Sequence, residues 1–271
     1  MKSILLHIGG DSCMTARLQV AMDIARATGA HITCLQAVSY EVFAPGDFYG
    51  SAMAAALPVV RERAEALRAK IESDLSNEDV SWEWLFMYGM AEDRLLEQSA
   101  LHDLIVVGPH DVGDERKSAS NMVGKLSLAA SAPVLVVPEH STRLDLTAPI
   151  LVAWNNSSEA SVALRAATPL LANSSDVILA SVMEKSKRDR PEFPATGGAR
   201  YLSRYGIEAE ILELPRGDAS VTDALFAAAE MRGCGLMVMG AYGHSRLSEL
   251  LFGGVTRRSL SDPKLPILLA H

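Results

Sequence analysis

Long apolar runs are missing from this chain of 271 residues, and no stretch approaches the ~20 consecutive apolar residues that a membrane-spanning helix needs. The opening run Ile4-Leu5-Leu6 is shorter than the apolar core of a secretion signal, so a soluble cytoplasmic protein is expected. An excess of positive charge is missing too. Lys and Arg total 25 against 33 Asp and Glu, a net charge of −8, the opposite of the basic footprint that counterion release from a nucleic-acid backbone demands. General nucleic-acid binding is therefore not expected. The three cysteines, Cys13, Cys34 and Cys234, are odd in number and far apart, which argues against a disulfide framework and suits buried thiols in a reducing compartment. No His-Glu-x2-His or Cys-x2-Cys spacing accompanies the 7 histidines, so no zinc site is expected. A Gly-x-Ser-x-Gly elbow is absent, and Gly108 to Gly113 fails as a phosphate-binding Walker loop because Asp114 stands where Lys is required. What is plentiful is apolar material. At 49% hydrophobic and 21% charged, the chain can build ordinary cores, and its length fits two units of roughly 130 residues.

Self-comparison reveals the two units. Ile4-Leu5-Leu6-His7-Ile8 resembles Ile150-Leu151-Val152-Ala153-Trp154 at an offset of 146, and Leu104-Ile105-Val106-Val107-Gly108 resembles Leu236-Met237-Val238-Met239-Gly240 at an offset of 132. The second copy has lost 14 residues between these landmarks, where the first carries the stretch Phe43 to Pro58. Each copy closes on a Pro-led apolar run, Pro133 to Val137 and Pro266 to Leu269. The polar residues 140 to 148 place the boundary, giving domains 1–142 and 147–271.

Short runs rich in β-branched residues alternate with helical patterns in both copies, the signature of βαβ units and a parallel sheet. The strands expected are Ile4–Ile8, Ile32–Val38, Val80–Phe86, Leu104–Val107 and Val134–Val137, then Ile150–Trp154, Val177–Val182, Glu208–Leu214, Leu236–Met239 and Ile267–Ala270. Val60, Ala64, Leu67, Ile71 and Leu75 recur at three- and four-residue steps and predict a helix. Gly29, Gly206 and Gly233 follow helical segments where a left-handed residue is commonly required. Trp82-Glu83-Trp84 and Glu208-Ala209-Glu210 alternate with apolar neighbours, which makes them half-buried strands rather than sites. Two tandem doubly wound α/β domains of five parallel strands are expected.

In open parallel sheets, ligands collect beyond the carboxyl ends of the strands, where the strand order reverses. After its fourth strand the second copy reads Gly240-Ala241-Tyr242-Gly243-His244-Ser245-Arg246 and continues to Phe252-Gly253-Gly254-Val255-Thr256-Arg257-Arg258, a Gly-x2-Gly-x9-Gly spacing. Glycines let backbone approach an anion, and the amides opening the next helix would point at phosphate, with Thr256 adding a hydroxyl. From Gly240 to Arg258 three Arg face one Glu, a formal +2 inside an acidic protein, whereas Gly108 to Leu126 of the first copy sums to zero. His244 follows the second glycine and is a candidate for hydrogen bonding to phosphate or for proton transfer, with plain exposure in the loop as the alternative; Arg246 is a candidate counter-charge. A tight turn at Gly240 and Gly243, and a solvated helix face at Arg257 and Arg258, are the plainer alternatives.

On this glycine pattern, its strand and helix context and the Pro-led final strand, the chain resembles a tandem universal stress protein along nearly its whole length. The resemblance implies five parallel strands per domain in the order 3-2-1-4-5 with flanking helices, and ATP or AMP held by the glycine loop. Carried over by position, Gly240, Gly243, Gly253, Gly254, Val255 and Thr256 become phosphate and ribose contacts, and Val182 the adenine contact. It departs from the family in two places. Gly254 stands where Ser or Thr is common, and Asn155 and Gly9 stand where an Asp usually follows the first strand. Asn155 can hydrogen-bond ribose or base but lacks the charge that helps hold Mg2+, which leaves metal-dependent ATP binding and AMP binding both open. The resemblance also implies that the copies dock through their final strands as an internal pseudo-dimer, with further pairing of chains open, and a role in stress survival.

A non-enzymatic nucleotide-responsive module is thus the leading function. Two other classes stand beside it: a ligand-free scaffold for a protein partner, and a slow ATPase or ATP-pyrophosphatase-like enzyme. Gly9-Gly10-Asp11-Ser12 resembles the pyrophosphate loop of the latter, yet it lacks one residue before the Asp and has Ile8 where a Ser leads.

Overall fold

The computed structural model describes residues 1–39, 51–111, 120–183, 196–215, 220–241, 260 and 262–271. In the N-terminal half, β1 (Ser3–Ile8), β2 (His31–Val38), β3 (Ser81–Tyr88), β4 (Leu104–Val107) and β5 (Val134–Val136) alternate with α1 (Met14–Thr28), α2 (Ser51–Ser76), α3 (Ala91–Gln98) and α4 (Asn121–Ala129). In the C-terminal half, β6 (Ile150–Ala153), β7 (Val177–Met183), β8 (Ala209–Pro215), β9 (Leu236–Gly240) and β10 (Ile267–Ala270) accompany α5 (Ser158–Leu171), α6 (Gly197–Ser203) and α7 (Val221–Met231).

Every strand expected from the sequence is present, with ends shifted by a residue or two. Gly29, Gly206 and Gly233 adopt φ of 64°, 72° and 64°, the left-handed values that let the chain leave a helix without a Cβ clash. On α2, Ala64, Ile71 and Leu75 are buried and Val60 and Leu67 half-buried, as their spacing requires. That helix starts at Ser51 and carries Pro58 inside it, so part of the stretch missing from the second copy is helical; its counterpart α6 has only 7 residues.

All strand pairs within each half are parallel, in the order β3-β2-β1-β4-β5 and, mirrored across the join, β10-β9-β6-β7-β8. Each half therefore reverses its winding between its first and fourth strands, β1 beside β4 and β6 beside β9. The halves meet where β5 and β10 pair antiparallel, Leu135 opposite Leu268 and Val136 opposite Ile267. At the repeat offset of 132 those two pairs exchange, so the seam has an approximate twofold axis. Apolar layers cover both faces of the resulting ten-stranded sheet and cross the seam without interruption. Burying each such leucine or isoleucine contributes about 1.5–3 kcal/mol. Because the seam is antiparallel, the carboxyl strand ends of the two halves open toward opposite edges of the sheet.

The polar stretch between the halves is not a free linker. Leu144 and Leu146 are buried against the core, and Asp23 on α1 accepts from the Leu144 N–H at 2.8 Å. Among the described residues no helix is long and apolar enough to cross a membrane.

Candidate functional site

At the carboxyl ends of β9, β6 and β7, which lie side by side, the structure brings together three of the residues expected at the site: Gly240, Asn155 and Val182. Gly240 closes β9 against the first turn of α5. A Cβ at this position would lie 2.6 Å from the Ala160 nitrogen and from the Glu159 carbonyl carbon, so only glycine allows strand and helix to approach this closely. Asn155 follows β6 in a tight turn. The Ser157 N–H donates to Asn155 Oδ1 at 3.1 Å, Asn156 takes φ of 62°, and Ser157 Oγ caps α5 by accepting from the Ala160 N–H at 3.1 Å. With its carbonyl oxygen so engaged, Asn155 has its amide N–H groups left to offer. Val182 is half-buried near the end of β7, followed by the exposed Met183. Between them, Ser181 Oγ donates to the Trp154 carbonyl at 2.6 Å and the Trp154 ring packs beside Gly198, fixing the path of the chain as it leaves the two strands. Beyond Gly240, the Ala241 N–H donates to the Ala270 carbonyl at 2.8 Å, and His271 Nδ1 donates to the Ala241 carbonyl at 2.9 Å. Gly243, His244, Arg246, Gly253, Gly254, Val255 and Thr256, with Arg257 and Arg258, lie outside the described residues.

The matching junction of the N-terminal half is built differently. Arg17, on the second turn of α1, is 1% exposed and its guanidinium lies across the ends of both β1 and β4. Its Nε donates to the His7 carbonyl at 2.8 Å and one terminal nitrogen to the Gly9 carbonyl at 3.3 Å. The two terminal nitrogens grip Asp11 Oδ1 and Oδ2 at 2.6 and 2.7 Å, a bidentate pair. Gly9 and Gly108 make room for it: a Cβ on either would come within 3.1 and 3.0 Å of the guanidinium nitrogens. Asp11 also accepts from the Cys13 N–H at the start of α1, at 3.0 Å. At the start of α4, Asp111 accepts from the Asn121 N–H at 3.1 Å and from the Ser120 hydroxyl, while Ser120 Oγ caps the helix by accepting from the Val123 N–H at 3.2 Å. A third carboxylate, that of Glu139 just past β5, accepts from the Ser12 hydroxyl at 3.0 Å.

Arg17 escaped the sequence reading, although a signal existed. Met14, Leu18, Ala21 and Ile24 mark the apolar face of α1, and Arg17 falls on that same face with an acid six residues before it. Beside it, His7 is buried with Nδ1 unpartnered among the described residues. Burial and then the Arg17 charge push its pKa down to about 3, only partly offset by Asp11.

Burial raises the Cys13, Cys34 and Cys234 thiols, Cys34 to about 12 and Cys234 to about 11, so these remain protonated at neutral pH. Among the described residues, no group of three or more His, Cys, Asp and Glu could hold a metal ion.

The model of the universal stress protein family matches residues 147–271. A universal stress protein of Synechocystis sp. is 27% identical over 188 residues, covering 66% of this chain and 62% of its own length. Among solved structures, a universal stress protein from Archaeoglobus fulgidus superposes with a TM-score of 0.77 at 15% identity, covering 99% of this chain and 97% of its own. A functionally unknown protein from Pseudomonas aeruginosa aligns over 100% of this chain and 92% of its own, with a TM-score of 0.60 at 19% identity. At these identities the structures establish a shared fold across both halves.

Proposed function

We propose, from the match of the universal stress protein family model to residues 147–271, that the C-terminal domain of this chain binds an adenine nucleotide, ATP or AMP, as a regulatory module without catalysis. The observation that carries the reading is the position of the Gly-x2-Gly-x9-Gly sequence, which begins at Gly240, beside the end of β6 where the winding reverses. That is where an open parallel sheet offers ligands unpaired main-chain donors and helix N-termini. A local surplus of two positive charges favours phosphate there.

Within this reading Gly243, Gly253, Gly254, Val255 and Thr256 contact the phosphates and ribose, joined by His244 and Arg246, and Val182 faces the adenine. Asn155 donates its amide hydrogens to a ribose or base acceptor, since its Oδ1 is held by the Ser157 N–H. A carboxamide brings no negative charge, so the site leans on main-chain donors rather than on Mg2+. The N-terminal unit, residues 1–142, serves as the permanent partner of the C-terminal one through the β5–β10 seam. Binding then biases the chain by whatever difference in affinity the nucleotide has for its conformations.

Mass spectrometry of freshly purified protein is expected to find AMP or ATP bound. Added nucleotide is expected to raise the melting temperature, and Gly243→Val or Gly253→Val to abolish that rise while leaving the ligand-free melting temperature unchanged. A rise that persists in both variants rejects the assigned loop.

A further inference from the structure

We infer that the Arg17–Asp11 pair occupies the N-terminal junction as a built-in ligand, closing it to nucleotide, so that the chain carries one nucleotide site and not two. The count of one rests on the proposal above; the closure rests on the geometry of the N-terminal half alone.

The carboxyl ends of β1 and β4 and the starts of α1 and α4 expose the same kinds of group that make the C-terminal junction a ligand site: strand-end carbonyls with no partner strand and amides at helix N-termini. In the N-terminal half these groups are already engaged by the chain itself. The Arg17 guanidinium takes the His7 and Gly9 carbonyls, Asp11 takes the Cys13 amide, and Asp111 takes the Asn121 amide. Tethered in place, the carboxylates of Asp11 and Asp111 compete with a phosphate for these amides at an effective concentration in the millimolar range, while Arg17 holds Asp11 in position. Charge acts in the same direction. The positive charge of Arg17 is already neutralised bidentately by Asp11, and a nucleotide phosphate arriving here would meet the carboxylates of Asp11, Asp111 and Glu139. In the C-terminal half the counterparts of Gly9, Asp11 and Arg17 at the repeat offset are Asn155, Ser157 and Ala163. None of the three carries charge, and α5 instead closes directly onto Gly240.

An occupant that behaves as a ligand can be removed and supplied from solution, which a mere packing residue cannot. Hydrogen exchange of the full chain tests this. In the wild type, 1 mM ATP is expected to slow exchange only in peptides from residues 150–271, leaving 3–28 and 104–129 unchanged. Arg17→Ala is expected to speed exchange in 3–28 by tenfold or more, and 10 mM guanidinium chloride, but not 10 mM NaCl, to reverse most of that gain. If Arg17→Ala does not fold, Asp11→Asn serves in its place, with faster exchange expected around Cys13. Protection of 3–28 by ATP in the wild type, or wild-type exchange in both variants, overturns the inference, as does failure of guanidinium to slow exchange in a folded Arg17→Ala. Absence of any ATP effect in the wild type sinks the C-terminal site instead, and the guanidinium result still decides the closure.

Discussion

Two junctions with one topology satisfy their strand ends in opposite ways. In the N-terminal half a buried arginine takes two strand-end carbonyls, Asp11 and Asp111 take helix-start amides, and Glu139 takes the Ser12 hydroxyl. In the C-terminal half the helix closes directly on Gly240, Asn155 and Ser157 carry no charge, and the acid at this junction, Glu159, is buried in the first turn of α5. A duplicated fold thus keeps its hydrophobic layers in both copies while the polar positions above those layers differ. The N-terminal junction is held by hydrogen bonds of the chain's own, with His7 Nδ1 left unpartnered among the described residues.

The largest expected effect tests the sealed side. Removing Arg17 leaves Asp11 without its partner and two strand-end carbonyls without their donor, which costs about 3–5 kcal/mol, measurable by urea denaturation of Arg17→Ala. A loss below about 1 kcal/mol would mean that the pair is surface decoration and that the two junctions are alike.

His7 sharpens the comparison through pH, since the equivalent residue of the second copy is Ala153. Its folded pKa of about 3 lies below the ordinary value of 6.5, so the unfolded chain binds the proton more readily. Stability from this residue is therefore complete above pH 6.5 and falls as the pH drops toward 3, by about 2 kcal/mol at pH 5. His7→Ala should lose correspondingly less between pH 7 and pH 5. Equal losses in both proteins would place the acid sensitivity elsewhere.

A smaller effect separates the two glycines that end β4 and β9. Gly240→Ala forces a Cβ to within 2.6 Å of helix backbone and should cost about 1–3 kcal/mol. Gly108→Ala meets the Arg17 side chain at 3.0 Å and should cost less, because a guanidinium can shift where a helix cannot. The reverse order, read from thermal melts, would contradict the packing described for the two junctions.

Much of this architecture was legible in the residues themselves. Alternation and β-branched runs located all ten strands, because burial on both faces of a parallel sheet leaves few other solutions for such runs. Gly29, Gly206 and Gly233 announced helix ends since few other residues tolerate positive φ. The half-buried β3, with Trp82 and Trp84 turned toward the core and Glu83 exposed, follows from simple alternation. What periodicity could not supply were interactions between residues joined only by the tertiary fold. Arg17 and Asp11 are ordinary surface types in composition, and only their place beneath the β1–β4 junction makes them a plug. Leu144 and Leu146 sit in a polar stretch whose burial depends on α1 being nearby. Of the candidate nucleotide contacts, Asn155, Val182 and Gly240 fall on three adjacent strand ends, and the remainder of the glycine loop, from Gly243 to Thr256, lies outside the described residues.

Titration calorimetry of the full chain with ATP reads most directly which junction takes the nucleotide. One nucleotide per chain is predicted for the wild type, and none for Gly243→Val. Two per chain, or one that survives in Gly243→Val, would contradict it.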